Sequence, residues 1–566
     1  MTNQPAFSTR GLEFHGKRMW NWHWVLEALD FMEHEGMNAL VFHQNDLIDQ
    51  LVVPFEYLTV DDLWRRWPVR YHTIDNNRQY VSQVIRHCHE RGIRFYLEVK
   101  EISFHESILE VEPEVLSAHG GICPSHPFWG QFLTAKMAEL CDALPDLDGV
   151  IVSLATRESK VSISTNQCSC ERCQVIDPVA WYEHLVAIMF EPLNRSGKLL
   201  SLRDFSYDAK EQGAVIEAAS RVSSKIAISL KNTPHDYYPT FPNNPKIGHV
   251  GDHPQWVEFD VWGQFFGLGV FPCVVLDDLT RRLDHCARHG VSGVVARTDW
   301  EVISDAGVLD SLNMVNLVGF ALASRDSSIG LDQMVAHWME APVATPFGLG
   351  REAARFMVPD ASEVQQALHS VMVNTWPVLR QSVFVLDHVF HEDGMFPDTL
   401  SKAYMMLVEV HGIAEWDSTR VDALAPSVAK LVEILSEKQR AVVQARQLRD
   451  KVQSLKGDLE PDGWKQLSET FDLLTWYVEG FQRCAEACFS TKFALEVERE
   501  VAHNLHEQAT KASEALEEYA RRLDERLAGT WYPHQVYWLL DTKRLRHLKA
   551  DLDGLLAGSG RDLNSG

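Results

Sequence analysis

Between Asn38 and Asp299 short apolar runs of strand length alternate with stretches of helical periodicity, and this alternation constrains the fold more than any other feature of the chain. The strand runs are NALVFH (Asn38 to His43), RFYLEV (Arg94 to Val99), VIVSLATRES (Val150 to Ser159), KLLSLRDFSYD (Lys198 to Asp208), KIAISL (Lys225 to Leu230), VEFDVWGQ ending at Gln264, FPCVVL around Cys273, and GVVARTDW ending at Trp300. Between them, Trp24 to Glu35 carries Val25, Leu26, Leu29, Phe31 and Met32 on one side, and Gly36 ends it in the capping position. Tyr80 to Arg91, Phe128 to Leu144 and Trp181 to Leu193 read as further helices. Strand, helix, strand in this rhythm predicts a parallel sheet. Seven or eight runs predict an α/β fold of the (β/α)8 TIM barrel class over residues 1–345. An open doubly wound sheet is disfavoured, because no G-x-G-x-x-G follows the first run. Met1 to Arg18 reads as a polar lead-in. The aromatic cluster RMWNWHW, Arg18 to Trp24, reads as a first strand or a plug at the barrel floor.

From about Pro342 onward strand-like runs cease. Ser427 to Val452, Gln466 to Ala487 and Ala494 to Ala528 read as long helices, so residues 346–566 are expected to form an all-helical domain. Its longest helix suits either internal packing or a homodimer contact. A chain of 566 residues is expected to hold more than one core. A hydrophobic share of 45% and a charged share of 23% are those of a soluble globular protein. The net charge of −26 excludes nucleic acid and anionic membrane surfaces as natural partners. No apolar run reaches the roughly 18 residues of a membrane span. The first residues lack the apolar core of a secretory signal, so a cytoplasmic, reduced protein is expected.

A parallel barrel gathers the C-terminal tips of its strands at one mouth, and that is where chemistry sits. The run KIAISLKNTPHD shows the break clearly. Pro234 forbids continuation of a central strand, so Asn232, His235 and Asp236 stand at its tip. Other tips carry Glu98, Lys100 and Glu101; Arg157 and Glu158; Arg203, Asp204, Tyr207 and Asp208; Gln264; and Arg297, Asp299 and Trp300. Carboxylates and arginines converging on one pocket suit hydrolysis of a glycosidic bond. One protonated carboxyl donates to the leaving oxygen, and a second carboxylate activates water or attacks the anomeric carbon. Ion pairs that merely close the barrel mouth are the plain alternative. Seventeen tryptophans suit stacking on sugar rings as well as filling large cores.

The order and spacing of GMNALVFHQND, RGIRFYLEV, ALPDLDGVIVSLATRES, GKLLSLRDFSYD, IAISLKNTPHDYYP and VNLVGFALASRDSSIGLDQMVAHW resemble the α-glucuronidases of glycoside hydrolase family 67, from about Gly36 to Trp338. The resemblance implies a (β/α)8 barrel, a helical dimerisation domain, and cofactor-free inverting hydrolysis of a uronic acid side chain on xylan oligosaccharides. It places the general acid at Glu158, one base-side carboxylate at Asp236, and a substrate-binding arginine at Arg203. The second base-side carboxylate of the family falls on Gln264, which is an amide. There is no room for the family's N-terminal β domain. Arg157 and Glu98 also depart from the family pattern, and the segment after Asp236 lacks its arginine and acid. The departures predict an exo-acting glycosidase whose specificity has moved from uronic acid toward a neutral or amino sugar. Glu158 and Asp236 would be catalytic. Arg157, Arg203, Asn232, His235, Gln264, Glu98, Asp299 and Trp300 would bind substrate.

NQCSCERC places Cys168, Cys170 and Cys173 in one loop after the Glu158 strand, and Cys123 in GGICPSHP offers a fourth thiol. That set predicts a structural Zn²⁺ site, with free thiols or a disulfide as the alternative. Two other functional classes compete with the hydrolase. One is a non-catalytic carbohydrate-binding barrel, motivated by Gln264. The other is a metal-dependent lyase or isomerase built on Lys100, His235 and the acids.

Overall fold

In each strand alternate residues are apolar or small, and the runs pair in parallel register until the sheet closes on itself. The computed structural model describes residues 6–54, 65–100, 102–118, 120–156, 162–206, 208–303, 306–340, 362–408, 423–459, 461–496 and 499–563. Its strands are β1 (Thr9–Phe14), β2 (Ala39–His43), β3 (Arg94–Val99), β4 (Gly149–Leu154), β5 (Leu199–Asp204), β6 (Ala227–Lys231), β7 (Gln255–Asp260) and β8 (Gly293–Arg297). Each pairs with the next, and β8 pairs with β1, giving a closed eight-stranded parallel barrel. Helices α1 (Trp22–Glu35), α2 (Pro68–Glu90), α3 (Pro127–Ala143), α4 (Pro178–Arg195), α5 (Ala209–Val222), α6 (Leu276–Arg288) and α7 (Met314–Arg325) surround it. Gly36 does end α1, with a left-handed φ of 69°.

Two stretches differ from the sequence reading. The first strand lies inside the expected lead-in, at Thr9–Phe14, where Gly11 and Glu13 alternate with buried Leu12 and Phe14. The aromatic cluster from Arg18 to Trp24 is a 3-10 turn over Lys17–Trp20 followed by the start of α1, whose first turn Asn21 caps at 3.3 Å. FPCVVL is not a strand. Two buried asparagines at the start of α7, the capping Asn313 and Asn316, take its backbone instead: Asn313 accepts from Cys273 N at 2.7 Å, and Asn316 donates to Cys273 O at 2.7 Å and accepts from Val275 N at 3.0 Å. Side-chain amides thereby replace a strand neighbour.

The link from β6 to β7 contains no helix. A buried arginine on α6 organises it. Arg282 donates to Phe241 O at 2.6 Å, Pro239 O at 3.0 Å, Pro242 O at 3.2 Å and Asn243 Oδ1 at 3.0 Å, and pairs with Asp278 at 2.7 Å.

After α8 (Leu331–Glu340), α9 (Ser362–Val373), α10 (Thr375–Val383) and α11 (Leu400–Val408) come four long helices: α12 (Val428–Ser454), α13 (Pro461–Glu496), α14 (Arg499–Leu527) and α15 (Thr542–Leu563). They pack on one another as a C-terminal helical region. The expected boundary near residue 345 falls outside the described residues. No described helix is long and apolar enough to cross a membrane.

Candidate active site

Side chains pointing into the barrel are layered. Near the floor, Ala39, Val41, Tyr96, Ile151, Trp256 and Val295 form a dry cluster. Two residues further along the same strands, toward the mouth, stand His43, Glu98, Ser153, Glu258 and Arg297; Glu13, Arg203 and Ser229 complete this polar layer. Glu13, Glu98, Arg203 and Glu258 are each at most 2% exposed. Buried charges of this kind require partners, and they have them. Arg203 Nε lies 2.8 Å from Glu258 Oε2 and 3.0 Å from Glu98 Oε1, and Arg203 Nη2 donates to Tyr237 OH at 3.0 Å. Tyr237 and Ser229 donate to Glu258 at 2.8 and 2.9 Å. His43 Nδ1 is 2.8 Å from Glu13, and the His43 and His15 rings stack at 3.8 Å.

The protonation states follow from this burial. Desolvation pushes both imidazoles well below their ordinary range, so the stacked pair is neutral. Burial, then the Glu13 carboxylate, pushes Glu98 well above the usual carboxylate range. Glu13, Glu98 and Glu258 bring carboxylate oxygens within 4.8 Å of one another, as Glu13, His15 and His43 do with their ligand atoms. Arg203 already supplies the positive charge among the three carboxylates.

Above this layer, polar pairs ring the mouth. Lys100 Nζ lies 2.9 Å from Glu301 Oε1, and His15 Nε2 lies 3.0 Å from Glu301 Oε2. Lys231 Nζ pairs with Asp236 Oδ1 at 2.8 Å, and both lysines stand over the Phe205 ring, at 5.2 and 4.4 Å. Asp236 has a φ of 49°, and its carbonyl accepts a hydrogen bond from Thr233 Oγ1. Arg297 donates to Gln264 Oε1 at 2.6 Å, and Gln264 Nε2 donates to Asp393 Oδ1 at 3.0 Å. Asp393 comes from the turn Glu392–Gly394, which lies beyond the barrel in the sequence. Burial, with the carboxylates of Glu392 and Asp236 adding to it, pushes its carboxyl up to about 7 although Gln264 donates to it.

The sequence-predicted residues therefore divide. Asp236, His235, Gln264 and Lys100 stand at the mouth. Glu98 and Arg203 belong to the buried layer below. Asn232 is buried at the tip of β6, where its backbone N–H binds Glu258 O at 3.0 Å. The Asp299 carboxylate accepts from the His15 and Gly16 amides at 2.6 and 2.8 Å, and burial raises it to about 6 despite them. Trp300 is half-buried and meets Trp538 of the helical region, ring centroids 6.1 Å apart. Glu158 and Arg157, like Glu101 and Tyr207, lie outside the described residues. Sequence reasoning missed Glu13, His15, His43, Tyr237, Glu258 and Glu301 as members of the network, and missed Asp393. Glu258 carried a visible signal, an acid flanked by Val257 and Phe259 inside a largely apolar strand. Asp393 carried none, being 129 positions from Gln264.

The four predicted cysteines are brought together, all sulfurs lying within 4.8 Å of one another.

No family model and no curated protein matches the chain. Among solved structures it is similar to a GH138 enzyme targeting pectin rhamnogalacturonan II, with a TM-score of 0.62 and 12% identity, over 93% of this chain and 62% of that one. It also matches a mutant of the Thermobaculum terrenum O-GlcNAc hydrolase, with a TM-score of 0.46 and 12% identity, over 97% and 95% of the two chains. The chain thus spans less than two thirds of the GH138 structure, and that likeness establishes a shared fold, a parallel barrel carrying helices.

Proposed function

We propose that the chain is an exo-acting glycoside hydrolase in which Glu158 is the proton donor and Asp236, assisted by Asp393, activates water. The observation that carries this reading is the Asp236–Gln264–Asp393 constellation. Gln264 occupies the position where the α-glucuronidase likeness puts a second base-side carboxylate. The Asp393 carboxyl lies 3.0 Å from its amide and is pushed up to about 7. A carboxyl in that range is suited to accept a proton near neutral pH. The class is argued from this chemistry, since fold alone does not fix function.

The rim charges support a specificity moved from uronic acid. Lys100 and Lys231, which could otherwise hold a substrate carboxylate, are paired with Glu301 and Asp236. Turnover of a panel of neutral, amino and uronic glycosides tests the proposal. Glu158→Gln and Asp236→Asn are each expected to lose about 10²–10⁴-fold in kcat on the best substrate. Unaltered turnover in either variant overturns the assignment. Because Gln264 replaces a carboxylate, a non-catalytic sugar-binding barrel is the second reading. Binding of an oligosaccharide by the parent chain with no hydrolysis of it or of any glycoside on the panel decides for that reading.

A further inference from the structure

Cys123 lies in the loop between β3 and α3, and Cys168, Cys170 and Cys173 lie in the loop between β4 and α4. The two loops already touch. Ser103 and Ser162 form an isolated bridge, Ile163 N donates to Ile102 O at 3.1 Å, and Arg172 Nη2 donates to Ser125 O at 2.9 Å. At the outer end of this seam the four sulfurs converge. Cys123 Sγ is 3.7 Å from Cys173 Sγ and 3.9 Å from Cys170 Sγ. A disulfide would need about 2.05 Å. A tetrahedral Zn²⁺ with Zn–S bonds of about 2.3 Å sets its four sulfurs about 3.8 Å apart. The sulfurs are also too close together to hold a multi-iron cluster, whose ligands splay around several metal atoms.

The surroundings fit a bound metal thiolate. Cys123 and Cys173 are buried, and Cys168 and Cys170 half-buried. Backbone bonds fix the chelate: Cys173 N donates to Cys170 O at 3.0 Å, Cys123 N to Val115 O at 2.9 Å, and Asn166 Nδ2 to Cys173 O at 2.8 Å. Arg172 follows directly on the Cys170–Glu171 pair. Its guanidinium is a neighbouring positive charge for a centre in which four thiolates outweigh one dication. The other cysteines, Cys88, Cys141, Cys273, Cys286, Cys484 and Cys488, form no such group among the described residues.

We propose that Cys123, Cys168, Cys170 and Cys173 bind one Zn²⁺ ion, which staples the loop after β3 to the loop after β4. On binding, each thiol releases its proton to solvent and the metal keeps its oxidation state, so loading weakens as the pH falls. Four protein ligands complete the coordination, so the ion is structural. The staple ties the loop between β3 and α3 to the loop between β4 and α4, and it would hold that seam whatever reaction occurs at the barrel mouth.

Metal analysis of the chain, expressed without an affinity tag that binds metal, tests this directly. About one zinc per chain is expected, with the half-buried thiols of Cys168 and Cys170 unreactive toward a thiol reagent until a chelator is added. Cobalt(II) added to the stripped protein is expected to give the strong thiolate-to-metal absorption and visible bands of a tetrahedral centre. Cys170→Ser, at the half-exposed edge, is expected to bind zinc more weakly and to be cleaved faster by protease between residues 156 and 177, with far-UV circular dichroism unchanged. Iron in place of zinc, a disulfide among the four found by mass spectrometry, or freely reactive Cys168 and Cys170 with no metal would each overturn the proposal. None of these readouts depends on glycoside turnover.

Discussion

Asp393 is the residue on which the site's pH behaviour turns. Its carboxyl is pushed up to about 7 from an ordinary 3.8, by burial first and by Glu392 and Asp236 next. The folded chain thus holds a proton there that the unfolded chain gives up above pH 4. The stabilising contribution is complete below the unfolded value and is lost as the pH rises toward 7. For catalysis the same group must be ionised to share the base role. Activity is therefore expected to rise with pH along a limb centred near 7. In Asp393→Asn that limb is expected to move to lower pH and kcat to fall about 10²-fold, while the variant gains stability relative to the parent as the pH rises. Profiles of kcat/KM against pH for parent and variant check the first, and urea melts at pH 5 and 8 the second. An unchanged limb removes Asp393 from the mechanism. Little of this was legible in the chain. Asp236 announced itself by following a strand and a proline. Asp393 sits in an ordinary polar turn and acquires its character only from what the fold places around it.

Among the elements, the link from β6 to β7 departs furthest from the (β/α) rhythm, and it carries Asn232, His235 and Asp236. With no helix between the two strands, its carbonyls need another partner, and Arg282 supplies it from α6. Fork geometry lets one side chain serve several acceptors, which a lysine cannot do. Arg282→Met is expected to cost about 3–5 kcal/mol, because buried carbonyls and the Asp278 carboxylate lose their charged partner. Arg282→Lys is expected to recover only part of that. Chemical denaturation measures the cost, and faster amide exchange across residues 232–244 would place it in this link. A loss below 1 kcal/mol with exchange unchanged would show that the link is held by other contacts. The sequence was informative here only in part. Seven of the eight strands were legible because barrel strands, buried on both faces, read as continuous apolar runs. The eighth, TRGLEF, has Arg10 and Glu13 in a six-residue strand and passed for a lead-in. FPCVVL had strand composition, but Asn313 and Asn316 satisfied its backbone first.

At the scale of the molecule, the helical region bears on the candidate site, because Tyr477 of α13 seats the turn that brings Asp393 to the barrel mouth. A short hairpin, Phe384–Val385 with His388–Val389, leads into the turn Glu392–Gly394, and Phe384 meets Tyr238 of the β6–β7 link edge to face at 6.3 Å. Gly394 makes the seating possible. Its φ is +62°, and a Cβ there would stand 2.8 Å from Tyr477 OH on α13 and 3.0 Å from the backbone N of Gly267 in the β7 loop. Tyr477 OH donates to Gly394 O, and the Tyr477 ring packs on Phe271 at 4.7 Å, so barrel, turn and long helix meet at one point. Gly394→Ala adds a left-handed strain of about 1–2 kcal/mol to a clash with the Tyr477 hydroxyl and a tight contact with the Gly267 backbone. The turn is expected to lift, carrying Asp393 away from Gln264 while the barrel stays closed. The variant should therefore reproduce the low kcat and altered pH limb of Asp393→Asn, with its far-UV circular dichroism unchanged. Adding Asp393→Asn to it should then cost little more, since two changes that break one contact are not additive. Fully additive losses would mean that the turn and the barrel mouth act separately, and that the helical region only supports the fold.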